Sequence, residues 1–174
     1  HILPSIDDGS PDLATSIRMA EIAVSEGITK MIATPHFIEV DLETDRETIF
    51  EKTEKLNQEL KKRSIELTTL PGQEILLTPG VPDLFEEGKL LTLGDNGKYL
   101  LLELPMMSIP IYAKEVIHRL HLSGVNVILA HPERNQEIMR NPERLKAFIR
   151  LGALIQVNSL SLIGVSGKKV KETG

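Results

Sequence analysis

A chain of 174 residues with a net charge of −5 and 41% hydrophobic residues has the size and composition of one soluble domain. Aromatics are only 3% and Trp is absent, so the core must be aliphatic, and zero Cys excludes disulfides, thiolate metal sites and a Cys nucleophile and makes a reducing, cytoplasmic setting the expectation. The acidic balance argues against nucleic acid as a partner, and no apolar run approaches the length of a membrane span.

The segment from His1 to Asp8 precedes the first periodic pattern. Over 11–26, Leu13, Ile17, Ala20 and Val24 recur at helical spacing and Gly27 closes the run. Lys30-Met31-Ile32-Ala33-Thr34 reads as a short buried strand leading into Pro35-His36. A long, highly charged amphipathic helix follows over 44–63, with Ile49, Leu56 and Leu60 on its apolar face. Two short strands, 65–70 and 74–77, are split by Pro71-Gly72, and a short helix covers 82–88. Then come a strand over 99–103, a helix over 112–123, a strand over 126–130, a helix over 142–151 and a strand over 154–158. Residues 168–174 read as the start of a further helix. Apolar strands alternating with amphipathic helices imply parallel strands covered by helices. A barrel-like α/β fold and an open doubly wound sheet both satisfy that pattern. No Gly-rich phosphate loop follows a strand, so a dinucleotide fold has little support.

The chemistry lies where the strands end. His36 follows the strand at 30–34, Glu74 opens the strand at 74–77, Glu103 ends the strand at 99–103, and His131 directly follows 126–130. His1 and Asp8 lie in the N-terminal segment. In a parallel barrel the C-terminal strand ends converge on one face, where active sites are built. Taken singly, a His after a strand is usually a loop residue, and a Glu at a strand end is usually solvated. Glu103 is less ordinary, because four apolar or aromatic residues precede it and Leu104-Pro105 follows; a charge there needs a cation. Three His and three carboxylates form a donor set suited to Zn2+, Mn2+ or Fe2+, and a cluster of such ions can clamp the oxygens of a phosphate ester. Arg134, in His131-Pro132-Glu133-Arg134, offers a planar fork for phosphate; its plainer reading is an ion pair with Glu133 or Glu137. His118 and His121 stand three apart on a helix, on a face the pattern assigns to solvent, and are not read as ligands.

These motifs together resemble bacterial tyrosine-protein phosphatases of the polymerase-and-histidinol-phosphatase (PHP) type, which act in capsular and extracellular polysaccharide synthesis. The resemblance is carried by His1-Ile2-Leu3-Pro4-Ser5-Ile6-Asp7-Asp8-Gly9, Ile32-Ala33-Thr34-Pro35-His36, Gly72-Gln73-Glu74-Ile75, Leu101-Leu102-Glu103, Ala130-His131-Pro132-Glu133-Arg134 and the late segment from Asn158 to Gly164, in that order along nearly the whole chain. It implies a single PHP domain with a distorted (β/α)7 barrel and a site for up to three divalent ions, commonly Mn2+, with Fe or Zn as alternatives. Carried over by position, His1 and Glu74 hold the first ion, Glu74, Glu103 and His131 the second, and Asp8 and His36 the third, while Arg134 binds the phosphate. The chain departs from the family at both ends. Of the two His expected in the first motif only His1 is present, and the late Ser-Asp-Ala-His type motif and a second phosphate-binding Arg are missing. Ser5 stands where Gly is common. The expectation is a domain truncated at both ends, lacking its first strand and part of the ligand set.

The implied activity is metal-dependent hydrolysis of phosphotyrosine, with His131 and Arg134 at the reacting phosphate and no covalent phospho-enzyme. The implied substrate is the phosphorylated tail of a bacterial tyrosine kinase. Two other readings stay open on the residues: a phosphatase for a small metabolite such as histidinol phosphate, and a non-catalytic binding remnant of the fold.

Overall fold

The computed structural model describes every residue except Glu43, and its chain divides into two units, His1–Glu74 with Gly88–Gly97 and Ile75–Glu87 with Lys98–Gly174. The first unit opens with α1 (Leu13–Ser25), capped by Asp12, whose side chain accepts from the Thr15 N–H at 2.8 Å. Strand β1 (Lys30–Ala33) follows, then the two-residue β2 (His36–Phe37) and α2 (Arg46–Lys62). Asp45 caps α2 through the Thr48 N–H at 2.7 Å, and Lys61 and Lys62 sit in its last turn, where the helix dipole favours cations. Strand β3 (Thr68–Pro71) then pairs in parallel with β1, Lys30 opposite Thr68 and Ala33 opposite Pro71.

This unit is held by an aliphatic core, as the shortage of aromatics requires. Ile2, Leu3, Ile17, Ala20, Ile49, Leu56, Leu60 and Leu91 are among its buried members. Asn57 fastens α2 to β3: its side-chain oxygen accepts from the Thr69 N–H at 2.8 Å and its amide donates to the Thr69 carbonyl at 2.9 Å. Gln73, fully buried, does the same for the turn before Glu74, donating to the Thr44 carbonyl at 2.8 Å and accepting from the Leu91 N–H at 2.7 Å.

Strand β4 (Glu74–Leu76) begins as the first unit ends; the Glu74 N–H donates to the Pro35 carbonyl at 3.0 Å. The second unit continues with α3 (Val81–Glu86), β5 (Tyr99–Glu103), α4 (Ala113–Leu122), β6 (Asn126–Ala130), a 3-10 turn at Pro132–Arg134, α5 (Gln136–Arg140), α6 (Leu145–Arg150), β7 (Leu154–Gln156), α7 (Ser159–Leu162) and α8 (Lys168–Thr173). Strands β4, β5, β6 and β7 lie in that order. β5 and β6 are parallel, with Tyr99 opposite Asn126 and Glu103 opposite Ala130, and β6 pairs in parallel with β7.

Parallel ladders and covering helices match the α/β reading, and two details depart from it. β1 is less buried than expected, with Lys30 and Ile32 exposed, as is β7, where Leu154 and Gln156 are exposed. Each pairs with a single neighbour, so neither has the covered flanks that make β5 and β6 apolar throughout. The helix expected over 142–151 is a 3-10 turn at Pro142–Arg144 followed by α6 (Leu145–Arg150). β2, α5 and α7 escape the sequence because two to five residues are too few to display a period.

Candidate metal centre

In the first unit the His1–Gly9 segment folds back on itself. The Ser10 N–H donates to the His1 carbonyl at 3.1 Å, and a Cβ at Gly9 would stand 2.3 Å from the His1 carbonyl oxygen, so only Gly fits. Ser5 adopts a left-handed backbone (φ 52), the conformation Gly enters without strain. The Lys52 ammonium, on α2, donates to the Pro4 carbonyl at 2.7 Å and the Ser5 carbonyl at 3.2 Å. A helix with its own core face thus holds the turn that carries His1 and Asp8.

Asp7 organises the centre. Its side chain is fully buried. One oxygen lies 2.5 Å from His1 Nδ1 and accepts from the His36 N–H at 3.1 Å; the other accepts from the Gly9 N–H at 3.0 Å. With Nδ1 committed to Asp7, the Nε2 of His1 is the outward nitrogen, 3.3 Å from a Glu74 carboxylate oxygen. The His1 and His36 rings lie 4.5 Å apart, and His36 Nε2 is 3.6 Å from Asp8. Asp8 is largely exposed while Glu74 is buried. Single donor atoms of His1, Asp8 and His36 all lie within 4.8 Å of one another. Hydrogen bonding to Asp7, then to Glu74, raises the His1 imidazole to about 10 against the opposing pull of burial. Burial pushes the Asp7 carboxyl up, but the His1 ring and the Gly9 and His36 N–H groups hold it below its ordinary value. Without a cation, His1 is therefore an imidazolium clamped between carboxylates; a divalent ion would take the place of that proton.

Two imidazoles and adjacent carboxylates fit a borderline cation such as Mn2+, Fe2+ or Zn2+, and Asp7 stands behind His1 as a carboxylate would that fixes the tautomer and ring orientation of a ligating His. Asp7 escaped the sequence reading, which took Asp8 alone from the Asp7-Asp8 pair. The signal was the doublet itself: in a tight loop ending at Gly9, two successive carboxylates point to opposite sides, Asp7 inward and Asp8 outward beside His36.

In the second unit, Glu103 ends β5 and His131 follows β6 in the paired, parallel strand, so both stand at the same end of the ladder. His131 Nε2 lies 3.8 Å from a Glu103 oxygen. His131 holds a strained left-handed backbone (φ 28, ψ 53), a cost that non-Gly residues bear chiefly where the side chain has a task. Arg134, half-buried, closes the 3-10 turn and makes no ion pair among the described residues. Neither acid expected as its plainer partner pairs with it: one Glu133 oxygen accepts from the Asn158 N–H at 3.1 Å while the other is buried with no hydrogen-bond partner among the described residues, and Glu137 accepts from the Ile109 N–H and pairs with Arg144. On α4, His118 is exposed, and neither it nor His121 belongs to a group of candidate ligands among the described residues.

Parallel strands bearing imidazole and carboxylate side chains at their ends define an α/β protein of the metallohydrolase kind. The chain belongs to the family described as "Capsular polysaccharide synthesis, CpsB/CapC", which matches it over residues 1–174. It is 42% identical over 171 residues to the tyrosine-protein phosphatase YwqE of Bacillus subtilis (strain 168), covering 98% of this chain and 67% of that protein. It is 26% identical over 163 residues to the tyrosine-protein phosphatase CpsB of Streptococcus agalactiae serotype III (strain NEM316), covering 94% of this chain and 67% of that one. Its structure aligns, with a TM-score of 0.94 and 41% identity over 99% of this chain and 69% of the other, to a solved chain from work described as crystal structures of YwqE from Bacillus subtilis and CpsB from Streptococcus pneumoniae, unique metal-dependent tyrosine phosphatases. No helix among the described residues is long and apolar enough to cross a membrane.

Proposed function

We propose that this protein is a metal-dependent protein-tyrosine phosphatase of capsular or extracellular polysaccharide synthesis, built on a single PHP-type barrel domain, acting in the cytoplasm on the phosphorylated tail of a bacterial tyrosine kinase. The observation that carries the reading is the His1, Asp8 and His36 group, with Asp7 buried behind it, in a chain whose relatives are named tyrosine-protein phosphatases. His1 and Glu74 hold one ion, Asp8 and His36 another, and Glu74, Glu103 and His131 a third; this assignment of Glu103 and His131 rests on the family resemblance. Mn2+ is the preferred cation. When bound, the cations supply the Lewis acidity that polarises the phosphoryl group and makes hydroxide available near neutral pH. Asp7 keeps the His1 ring in the orientation that presents Nε2. Arg134, without an acid partner among the described residues, offers its guanidinium to two phosphoryl oxygens and offsets the charge that develops as the ester bond breaks. The names of the relatives favour the phosphotyrosine reading over a small-metabolite phosphatase. The test is phosphate release from a phosphotyrosyl peptide by the Mn2+-loaded protein. Release should stop on chelation and return when Mn2+ is restored; turnover that persists in excess chelator refutes the reading.

A further inference from the structure

We propose that the loop from Pro105 to Ile111, between β5 and α4, is the wall that receives the aryl ring of the phosphotyrosyl substrate and sets a preference for aryl over alkyl phosphate esters; this rests on the phosphatase reading above. The loop leaves the carboxyl end of β5 directly after Glu103 and Leu104, on the side of a parallel sheet where ligands bind. It presents large apolar side chains to solvent: Met106 is 43% exposed, Met107 64% and Ile111 100%. Such a run of exposed apolar residues is unusual on a loop unless something docks there.

Nor is the loop slack. The Asn135 side-chain amide donates to the Pro105 carbonyl at 2.7 Å and the Ser108 carbonyl at 3.1 Å. The Gln136 N–H donates to the Met106 carbonyl at 2.8 Å, and the Ile109 N–H donates to Glu137 at 2.7 Å. Asn135 is buried and its oxygen also caps α5 through the Glu137 and Ile138 N–H groups, so it cannot swing away. Every anchor lies within three residues of Arg134. The apolar loop is therefore fixed to the stretch of chain that begins at the phosphate-binding guanidinium. In a phosphotyrosyl group a single ester oxygen joins phosphorus to the ring, so a ring whose phosphate lies on Arg134 must rest on surface next to it. Thioether side chains suit that contact, since sulfur packs well against aromatic edges. A phosphoseryl group, with one methylene in place of the ring, leaves this wall uncovered.

The test measures binding as well as turnover in the Mn2+-loaded protein. Phenylphosphonate and methylphosphonate are titrated calorimetrically against the wild type and a Met107→Ser/Ile111→Ser double variant, and kcat and KM are measured on a phosphotyrosyl peptide. Both positions are exposed, and an unchanged melting temperature verifies folding; Ile22→Ser, at an exposed apolar site on α1, is the control. The preference for phenylphosphonate should fall about fivefold or more in the double variant, with a rise in KM larger than any change in kcat, and should stay as in wild type in the control. If the double variant keeps the full preference and the peptide is still hydrolysed, the aryl wall is refuted and the phosphatase reading stands. If the wild type releases no phosphate from the peptide, the phosphatase reading fails and takes this inference with it.

Discussion

Asp7 and Asp8 differ by one position and by everything else: Asp7 is sealed under the loop against His1 Nδ1, and Asp8 faces outward toward His36. Exchanging their roles is impossible without unfolding the turn, so their variants should separate cleanly. Asp7→Asn keeps the shape and removes the charge behind His1, and loss of such an outer partner lowers metal affinity by about 10- to 100-fold. Calorimetric titration of the metal-free variant with Mn2+ checks this; an affinity equal to wild type would mean that Asp7 is only a fold contact. The residue scale is also where the sequence was most informative. His36, Glu74, Glu103 and His131 could be singled out because each stands at or beside the boundary of an apolar run; in the structure His36 opens β2, Glu74 opens β4, Glu103 ends β5 and His131 follows β6. Asp7, Lys52 and Asn135 did not, because each acts through backbone groups whose positions exist only after folding.

At the scale of elements, α2 matters most, since it places Lys52 under the ligand turn and Asn57 against β3. Asn57→Ala would leave the N–H of buried Thr69 without its acceptor, a loss of about 1–3 kcal/mol that urea unfolding of the metal-free protein measures. The cap of the same helix supplies a pH test. Hydrogen bonds from the Thr48 backbone and hydroxyl hold the Asp45 carboxyl below its ordinary 3.8. Its folded value is thus depressed, so the cap's contribution is present above pH 3.8 and is lost as pH falls through the folded value. Asp45→Ala should cost about 1 kcal/mol at pH 7 and next to nothing at a pH where the carboxyl is protonated in both states. Unfolding curves of variant and wild type at the two pH values decide it. α2 was legible because 17 residues show their period plainly. β5 and β6 were legible as unbroken apolar runs. β2 was not, since two residues carry no pattern, and yet it delivers His36.

For the molecule as a whole, His1, Asp8 and His36 bring donor atoms within 4.8 Å of one another in the folded chain, an arrangement the unfolded chain does not hold. A cation bound only by the folded chain stabilises it by mass action, about 2.7 kcal/mol at a hundred times the dissociation constant. Mn2+ should therefore raise the melting temperature, and chelator should return it to the metal-free value; a melting temperature indifferent to both would argue that no ion is held. The α/β class and the alternation of strands and helices could be read from periodicity. The order in which the strands pair could not, because hydrophobic runs say that a strand is covered and not by which neighbour.

The three hydrogen bonds that converge on Asp7 join the start of the chain, the Gly9 bend and the entry to β2. One carboxylate thus serves as a rivet for the backbone and as a tuning element for the ligand beside it. A library of variants screened for protein yield and the same library screened for turnover would consequently flag the same position, and drift at Asp7 could proceed only by a route that preserved both properties at once.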